Sequence, residues 1–243
     1  MYRERNPGAE LARVVECCWS IETGAALNHA VRPDGCIDII YSRELGLIAV
    51  GAMTVERRVM LSAAARTAGV RFRPGMAGPF LRVAPRELTD SMVPLEALWG
   101  RQARELERQL SESACAELTL AETLRGTPAG GNQVRRAIEA ITAAHGAVDL
   151  DWIAAQAGMS PRQFRRRCFE ESGLGPKQLC RILRFRRACH LAASKEHVWA
   201  AVAAEAGYFD QAHLIRDFHQ FTGRAPMSVF SNTEGLRAGH NRA

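Results

Sequence analysis

A step of about fifty residues relates two stretches in the second half of the chain, and that repeat restricts the fold more than any other feature. Ala157-Gly158 falls on Ala206-Gly207 at a step of 49; past one extra residue in the second turn the step becomes 50. Ser160 then maps to Asp210, Phe164 to Leu214, Arg166 to Arg216, Cys168 to Phe218, Gly173 to Gly223 and Pro176 to Pro226. The first copy reads as a short apolar helix (Trp152, Ile153, Ala154, Ala157), a Gly158-Met159 break and a second helix with a strong start. Ser160 is a good N-cap, Pro161 suits the first helical position, and Gln163 completes a capping box. Phe164 and Cys168 share one face of that helix, and Arg162, Arg165 and Arg166 another. Single look-alikes of this pattern are common, and exposed arginines usually form a solvated face. A cap, a core residue, an arginine, a terminating glycine and a restarting proline recurring in register are not expected by chance. An apolar helix, a glycine turn and an arginine-faced helix form a helix-turn-helix, and here two lie in tandem.

Charge follows the repeat. The chain has 243 residues and a net charge of +6. From Asn132 onward there are 16 Lys and Arg against 10 Asp and Glu, whereas residues 1–131 hold 16 of each. All the excess positive charge therefore lies with the repeat, as an electrostatic footprint for phosphate requires. Arginine makes paired hydrogen bonds to guanine in the major groove, which singles out Arg162, Arg165 and Arg166 as base readers of the first unit. In the second unit Gln211, His213 and Arg216 are candidates for base edges, and Ala212 and Ile215 for a thymine methyl. His213 has a plainer alternative, a bond to its neighbouring backbone, and Asp210 is better explained as a cap. Arg167, Lys177, Arg184 and Arg187 are the phosphate candidates, Arg167 dividing evenly between phosphate and packing by its stem. A helix over Pro176 to Ala193 joins the units; at ~1.5 Å per residue it extends roughly 27 Å, near the ~34 Å between successive major grooves on one face of DNA.

The stretches IAAQAGMSPRQFRRRCFEESGLGPKQL, RILRFRRACHLA and AAEAGYFDQAHLIRDFHQFTGRAPMSVF resemble the DNA-binding domain of the AraC/XylS family of bacterial transcription regulators, over about Val134 to Phe230. The last is the most specific: an Ala-Gly-Tyr-Phe-Asp-Gln turn, an aromatic-rich helix, then Gly-x-x-Pro before a closing aromatic. One departure is that Cys168 then Phe169 stand where such proteins usually have Phe then a basic residue. Ahead of this block, VRPDGCIDII, GAMT, GVRFRPGMAGPFL and LEALWG resemble, less specifically, the cupin-like domain of unknown function that precedes some AraC-type modules. The resemblance implies a one-component regulator of double-stranded promoter DNA. Its N-terminal domain would bind a small-molecule effector, pair two copies, or both, with RNA polymerase as a further partner if it activates.

The first half reads as short strands. Val15, Cys17, Trp19 and Ile21 alternate to one side of a strand over Val14 to Ile21. A Pro33-Asp34-Gly35 turn leads into Cys36 to Tyr41, and further runs lie at Leu47 to Val50, Val59 to Ser62 and Val70 to Phe72. Short strands with frequent turns predict a small barrel or sandwich. From Leu95 the period becomes helical: Leu95, Trp99, Ala103, Leu106 and Leu110 form an apolar stripe, and Ala114 to Leu124 folds back beside it. This hairpin either covers the barrel or makes a homodimer contact, and the two are compatible. Gly126 to Asn132 reads as a linker, and Val134 to His145 as an amphipathic helix.

Catalytic signatures are sparse. Cupin-like metalloenzymes need several converging histidines, but only His29 precedes His145. Cys17 and Cys18, adjacent in a strand, point to opposite faces, so with Cys36 they make a poor thiolate site. Asp34 and Asp38 read as turn and strand-edge residues rather than a catalytic pair, and no phosphate loop or hydrolase elbow is present. No cofactor and no metal site are expected. The N-terminus carries charges and a proline in place of a signal peptide's apolar run, no segment suggests a membrane span, and seven cysteines without a Cys-x-x-Cys pair do not suggest disulfides, so a cytoplasmic protein is expected. The reading is an α+β protein: a β-rich, cupin-like domain over 1–94, a helical hairpin over 95–125, a linker over 126–132 and an all-α domain of two helix-turn-helix units over 133–232. The rival is an enzyme whose N-terminal barrel modifies a small molecule or DNA, targeted by the helices.

Overall fold

The computed structural model describes residues 1–127, 130–193 and 198–231; Pro128 and Ala129 of the expected linker, and the expected domain end at 232, lie outside them. The N-terminal part is an antiparallel sheet domain. Strands β1 (Tyr2–Arg5), β2 (Val15–Glu22), β4 (Ile37–Ser42), β5 (Gly46–Val50), β7 (Arg66–Phe72) and β8 (Met92–Pro94) form one sheet in the order β1-β2-β7-β4-β5-β8. Strands β3 (Leu27–Val31) and β6 (Arg57–Leu61) form a second sheet. Strand alternation gives the larger sheet two buried faces. Cys17, Trp19, Ile21 and Leu61 pack on one side, while Val15, Cys18, Ile37, Ile39, Tyr41, Val70 and Phe72 belong to the main core on the other.

Simple alternation places Val15 on the face of Cys17, Trp19 and Ile21, and the structure places it on the opposite one. A bulge between Val15 and Cys17, where Val15 pairs with Phe72 and Cys17 with Arg71, removes one residue from the alternation and puts Val15 with Cys18. Cys17 and Cys18 do point to opposite faces. Asp38 is not at a strand edge: β4 lies between β7 and β5, and Asp38 is buried, bonded by Trp19 Nε1 at 2.7 Å and paired with Arg71.

Gly100, at φ 58°, splits the expected long helix into α2 (Glu96–Trp99) and α3 (Arg101–Glu112). Helix α4 (Ala116–Leu124) folds back. The whole stripe Leu95, Trp99, Ala103, Leu106 and Leu110 is buried in the chain's own core. Leu106 and Leu110, at 4% and 2% exposure, therefore have no surface left for a dimer contact. Besides this pair, α1 (Gly78–Leu81) and a 3-10 turn (Pro85–Leu88) precede β8.

The C-terminal part is helical: α5 (Gln133–Ala143), α6 (Leu150–Gln156), α7 (Pro161–Ser172), α8 (Pro176–Ala192), α9 (Trp199–Glu205), α10 (Gln211–Thr222) and α11 (Pro226–Ser231). No described helix is long and apolar enough to cross a membrane. The two parts share one hydrophobic core. Gly35, at the tip of the turn before β4, lies so close to α8 that a Cβ there would sit 3.1 Å from Leu179. Beside it Glu16 binds Arg186 of α8 through both carboxylate oxygens. Burial alone would push the Glu16 carboxyl up, but the Arg186 guanidinium, aided by Arg71, outweighs it and holds the group at about 2.

A carboxyl held below its ordinary value contributes stability above the unfolded value of 4.5 and loses it as pH falls toward about 2. Glu16→Gln should lower stability at pH 7 by ~3 kcal/mol, because Arg186 is left charged and unpaired. It should also flatten the wild-type loss of stability between those pH values. Thermal melts across pH 2 to 7 for both proteins would check this; parallel curves would contradict it.

Candidate nucleic-acid interface

The two helix-turn-helix units are built alike, down to single hydrogen bonds. Helix α6 ends at Gly158 (φ 64°) and α9 at Gly207 (φ 79°). After each, the next residue's N–H returns to the helix: Met159 N to Ala154 O at 3.0 Å, Tyr208 N to Ala203 O at 2.9 Å. Helix α7 starts with the capping box expected from Ser160 and Gln163, both halves of it formed, and α10 starts with Asp210 accepting from His213 N at 2.6 Å. Phe164 and Cys168 bury one face of α7, as Leu214 and Phe218 bury that of α10. Cys168 fits fully inside, its Sγ 3.5 Å from Leu174 O, and Phe169 is left 41% exposed.

The helix ends carry a repeated device that the sequence reading missed. Ser172 donates to Cys168 O at 2.8 Å and caps Leu174 N at 3.2 Å. Thr222, fifty residues on, donates to Phe218 O at 2.8 Å and caps Arg224 N at 3.2 Å. The available signal was a small hydroxyl residue directly before each of the two repeated glycines. Both glycines take the left-handed conformation, Gly173 at φ 74° and Gly223 at φ 70°.

On the outer face of α7, Arg162, Arg165, Arg166 and Arg167 are all exposed. Among the described residues Arg162, Arg165 and Arg167 form no ion pair, whereas Arg166 reaches Glu170 at 2.9 Å. Along α10, Gln211, Ala212 and Arg216 are exposed. His213 and Ile215 are half-buried, His213 edge-on to Tyr208 with centroids 5.1 Å apart. Lys177, exposed in the first turn of α8, lies with Arg165, Gln178, Arg181 and Gln220 on a groove of 480 Å³ between the units. It brings Arg165, a candidate base reader, beside Lys177, a phosphate candidate.

The other two phosphate candidates are otherwise engaged. Arg184 is turned inward, donating to Gly146 O at 2.9 Å and lying over the Tyr208 ring. Arg187 binds Glu205 at 3.0 Å. Lining the same groove, Arg181 ties α8 to Asp217 of α10, which is only 1% exposed, through Nε at 3.1 Å and Nη2 at 2.5 Å. This pair fixes α10 on α8.

Other reactive chemistry is muted. Burial pushes the thiols of Cys18 and Cys180 up to about 11 and those of Cys168 and Cys189 to about 12. Cys17 and Cys36 are raised for the same reason. These are packed thiols, not thiolates. Asp34 caps its own turn, accepting from Cys36 N at 2.9 Å. Between the two sheets Arg71 pairs with Asp34 at 3.4 Å and Asp38 at 3.3 Å. Burial, opposed by Arg71, raises the Asp38 carboxyl.

The difference in packing around the two glycine ends is testable. At Gly223 an added Cβ would meet nothing within 4 Å, so Gly223→Ala should cost only the left-handed penalty, ~1 to 2 kcal/mol. At Gly173 it would lie 2.9 Å from Thr89 Oγ1 and 3.1 Å from Pro85 O, so Gly173→Ala should cost clearly more. Denaturant unfolding of both variants gives the comparison; equal losses would refute it.

Family models match two segments: a domain of unknown function, DUF6597, over residues 3–94, and a helix-turn-helix domain over residues 153–232. No curated protein matches the chain significantly. Among solved structures, the DNA-binding domain of AdpA, a global transcriptional factor crystallised with a target DNA, is 24% identical; the match covers 41% of this chain and 90% of that one, with a TM-score of 0.38. ToxT from Vibrio cholerae strain SCE256, with unsaturated fatty acid bound, is 10% identical over 87% of this chain and 92% of its own, with a TM-score of 0.43. The transcriptional regulator CdpR from Pseudomonas aeruginosa is 19% identical over 68% of this chain and 44% of its own, with a TM-score of 0.34.

Proposed function

We propose that this chain, which matches a domain of unknown function over residues 3–94 and a helix-turn-helix domain over residues 153–232, is a DNA-binding transcription regulator of AraC type reading two adjacent major-groove segments. The observation that carries the reading is the pair of matched helices α7 and α10. Each starts at a side-chain cap, is held by a buried inner face and a glycine end, and presents exposed polar or basic residues outward. In this reading Arg162, Arg165 and Arg166 of the first helix and Gln211 and Arg216 of the second meet base edges, with Ala212 against a thymine methyl. His213 and Ile215, being half-buried, serve mainly to position the second helix. Lys177 and Arg167 hold phosphates, and their contacts carry no sequence information. The N-terminal domain modulates reading rather than performing catalysis; its close packing on α8 is the support for that role.

Selecting sites from a random DNA pool with the full chain tests the reading. Arg166 and Arg216 each stand six residues after their caps, so Arg166→Ala and Arg216→Ala should each cost ~1 to 3 kcal/mol on the selected site. They should relax preference at different base pairs, about one helical turn apart. Lys177→Ala should weaken all sequences about equally. Relaxation at the same base pairs in both arginine variants, or selection of no sequence by the wild type, would overturn the reading.

A further inference from the structure

Two loops of the N-terminal domain end on the C-termini of the two reading helices. From the loop after the 3-10 turn, Thr89 Oγ1 donates to the carbonyl of Gly173, directly after α7, at 2.7 Å. The backbone of Pro85 crowds the same glycine, and Arg86 reaches Glu170 in the last turn of α7 at 3.5 Å. From the loop before β6, the N–H of Glu56 donates to the carbonyl of Phe221 in the last turn of α10 at 2.6 Å. The Glu56 carboxylate binds Arg224, just past Gly223, at 2.7 and 3.0 Å. Helix-end carbonyls lack intrahelical partners, so donors aimed at them act as external caps. The N-terminal domain thus grips the corresponding end of both copies of the repeat.

The two gripping loops are in turn fastened to each other, and Asp90 does most of the fastening. Its carboxylate accepts from Thr54 N at 2.7 Å and Thr54 Oγ1 at 2.6 Å. Its backbone carbonyl accepts from Arg57 at 2.7 Å, and its N–H donates to Ala52 O at 3.1 Å. Gly51 N adds a bond to Ser91 O at 3.0 Å. Gly51 runs so close to the other loop that a Cβ would come within 1.7 Å of Leu88 O, so no other residue fits there. Asp90 itself adopts φ 56°, a conformation Asp and Asn tolerate and glycine takes freely.

We infer that Asp90 is a specificity-determining residue: by locking the two loops together it fixes the separation of α7 and α10, and so the spacing between the two DNA segments the protein accepts. Among the described residues the hydrogen bonds of Asp90 go to Thr54, Arg57 and Ala52 and not to either helix, so it acts through Thr54, Glu56 and Thr89. The inference rests on the DNA-reading function proposed above and adds to it a measuring role for the N-terminal domain. One base pair more or less moves the second segment by ~3.4 Å and turns it by ~35°. A braced pair of helices rejects such a change, and an unbraced pair follows it.

Asp90→Gly removes the carboxylate without straining the backbone, and Asp90→Asn keeps an acceptor for Thr54 N. Two measurements on the full chain are needed. In hydrogen exchange without DNA, Asp90→Gly should speed exchange in the last turns of both α7 and α10 by at least about tenfold, and Asp90→Asn much less. On the site selected by the wild type, one inserted or deleted base pair between the segments should weaken wild-type binding by about tenfold or more. Asp90→Gly should show a penalty below about threefold while keeping the wild-type base preferences, and Asp90→Asn should restore the penalty. Should Asp90→Gly fail to fold, Thr89→Val, which deletes only the donor to Gly173, serves the same test at α7. A folded variant with unchanged exchange at both helix ends, or with the full wild-type spacing penalty, overturns the inference. A wild type that selects no DNA sequence defeats the DNA-reading function itself, and is told apart because it needs no variant.

Discussion

Helix α8 has almost no free face, and much of the structure follows from that. Leu179, Cys180, Ile182, Leu183, Phe185, Ala188 and Ala192 are all buried, against α5, α7, α9 and α10 and against the Gly35 turn of the sheet domain. At ~25 cal/mol per Å² of apolar surface, a helix enclosed on this scale is a main source of cohesion. Enclosure also dictates the fate of its arginines, because a guanidinium taken out of water must find partners. Arg181 takes Asp217, Arg184 takes the Gly146 carbonyl, Arg186 takes Glu16 and Arg187 takes Glu205. Each of these links α8 to a different segment. Helix α7 is buried on one side only, and its outer arginines remain exposed. Helical spacing shows both sets as arginines on amphipathic helices; the depth at which each helix sits decides which can meet DNA.

That contrast marks where sequence reasoning succeeds and fails. Caps, glycine ends and the inward residues of α7 and α10 were legible because they depend on partners within a few positions. The bracket of Ser160 and Gln163 forms as its spacing requires. Several strands were legible from alternation and turns, but β1, β3 and β8 were not: Tyr2–Arg5 and Leu27–Val31 carry polar residues on an exposed side, and Met92–Pro94 is three residues long. The face of Val15 was misread because a bulge is set by the partner strand, not by the bulged sequence. Leu106 and Leu110 looked available for a second copy because an apolar stripe does not state what covers it. The inward turn of Arg184 depends on Gly146 and Tyr208, 38 and 24 positions away, and no local pattern encodes it.

The contacts between the two halves were the least legible, since every one joins residues far apart in the chain. Thr89 and Gly173 are 84 positions apart, and Glu56 and Arg224 are 168. They also change what the neutral charge of residues 1–131 means. An acidic N-terminal domain would compete with DNA for the arginines of α7 and α10. This one directs Glu16 and Glu56 at Arg186 and Arg224, which lie away from the exposed faces of those helices. Arg162, Arg165 and Arg216 stay exposed while the N-terminal domain is docked. Docking therefore leaves the outer faces of α7 and α10 open. Glu170 of α7 stands between Arg86 of the N-terminal domain and Arg166 on the outer face of the same helix. Two guanidiniums on one carboxylate repel each other, so each is held less tightly than it would be alone. On the function proposed above, Arg166 would leave Glu170 to meet a base, and Arg86 would remain beside that carboxylate to keep it paired.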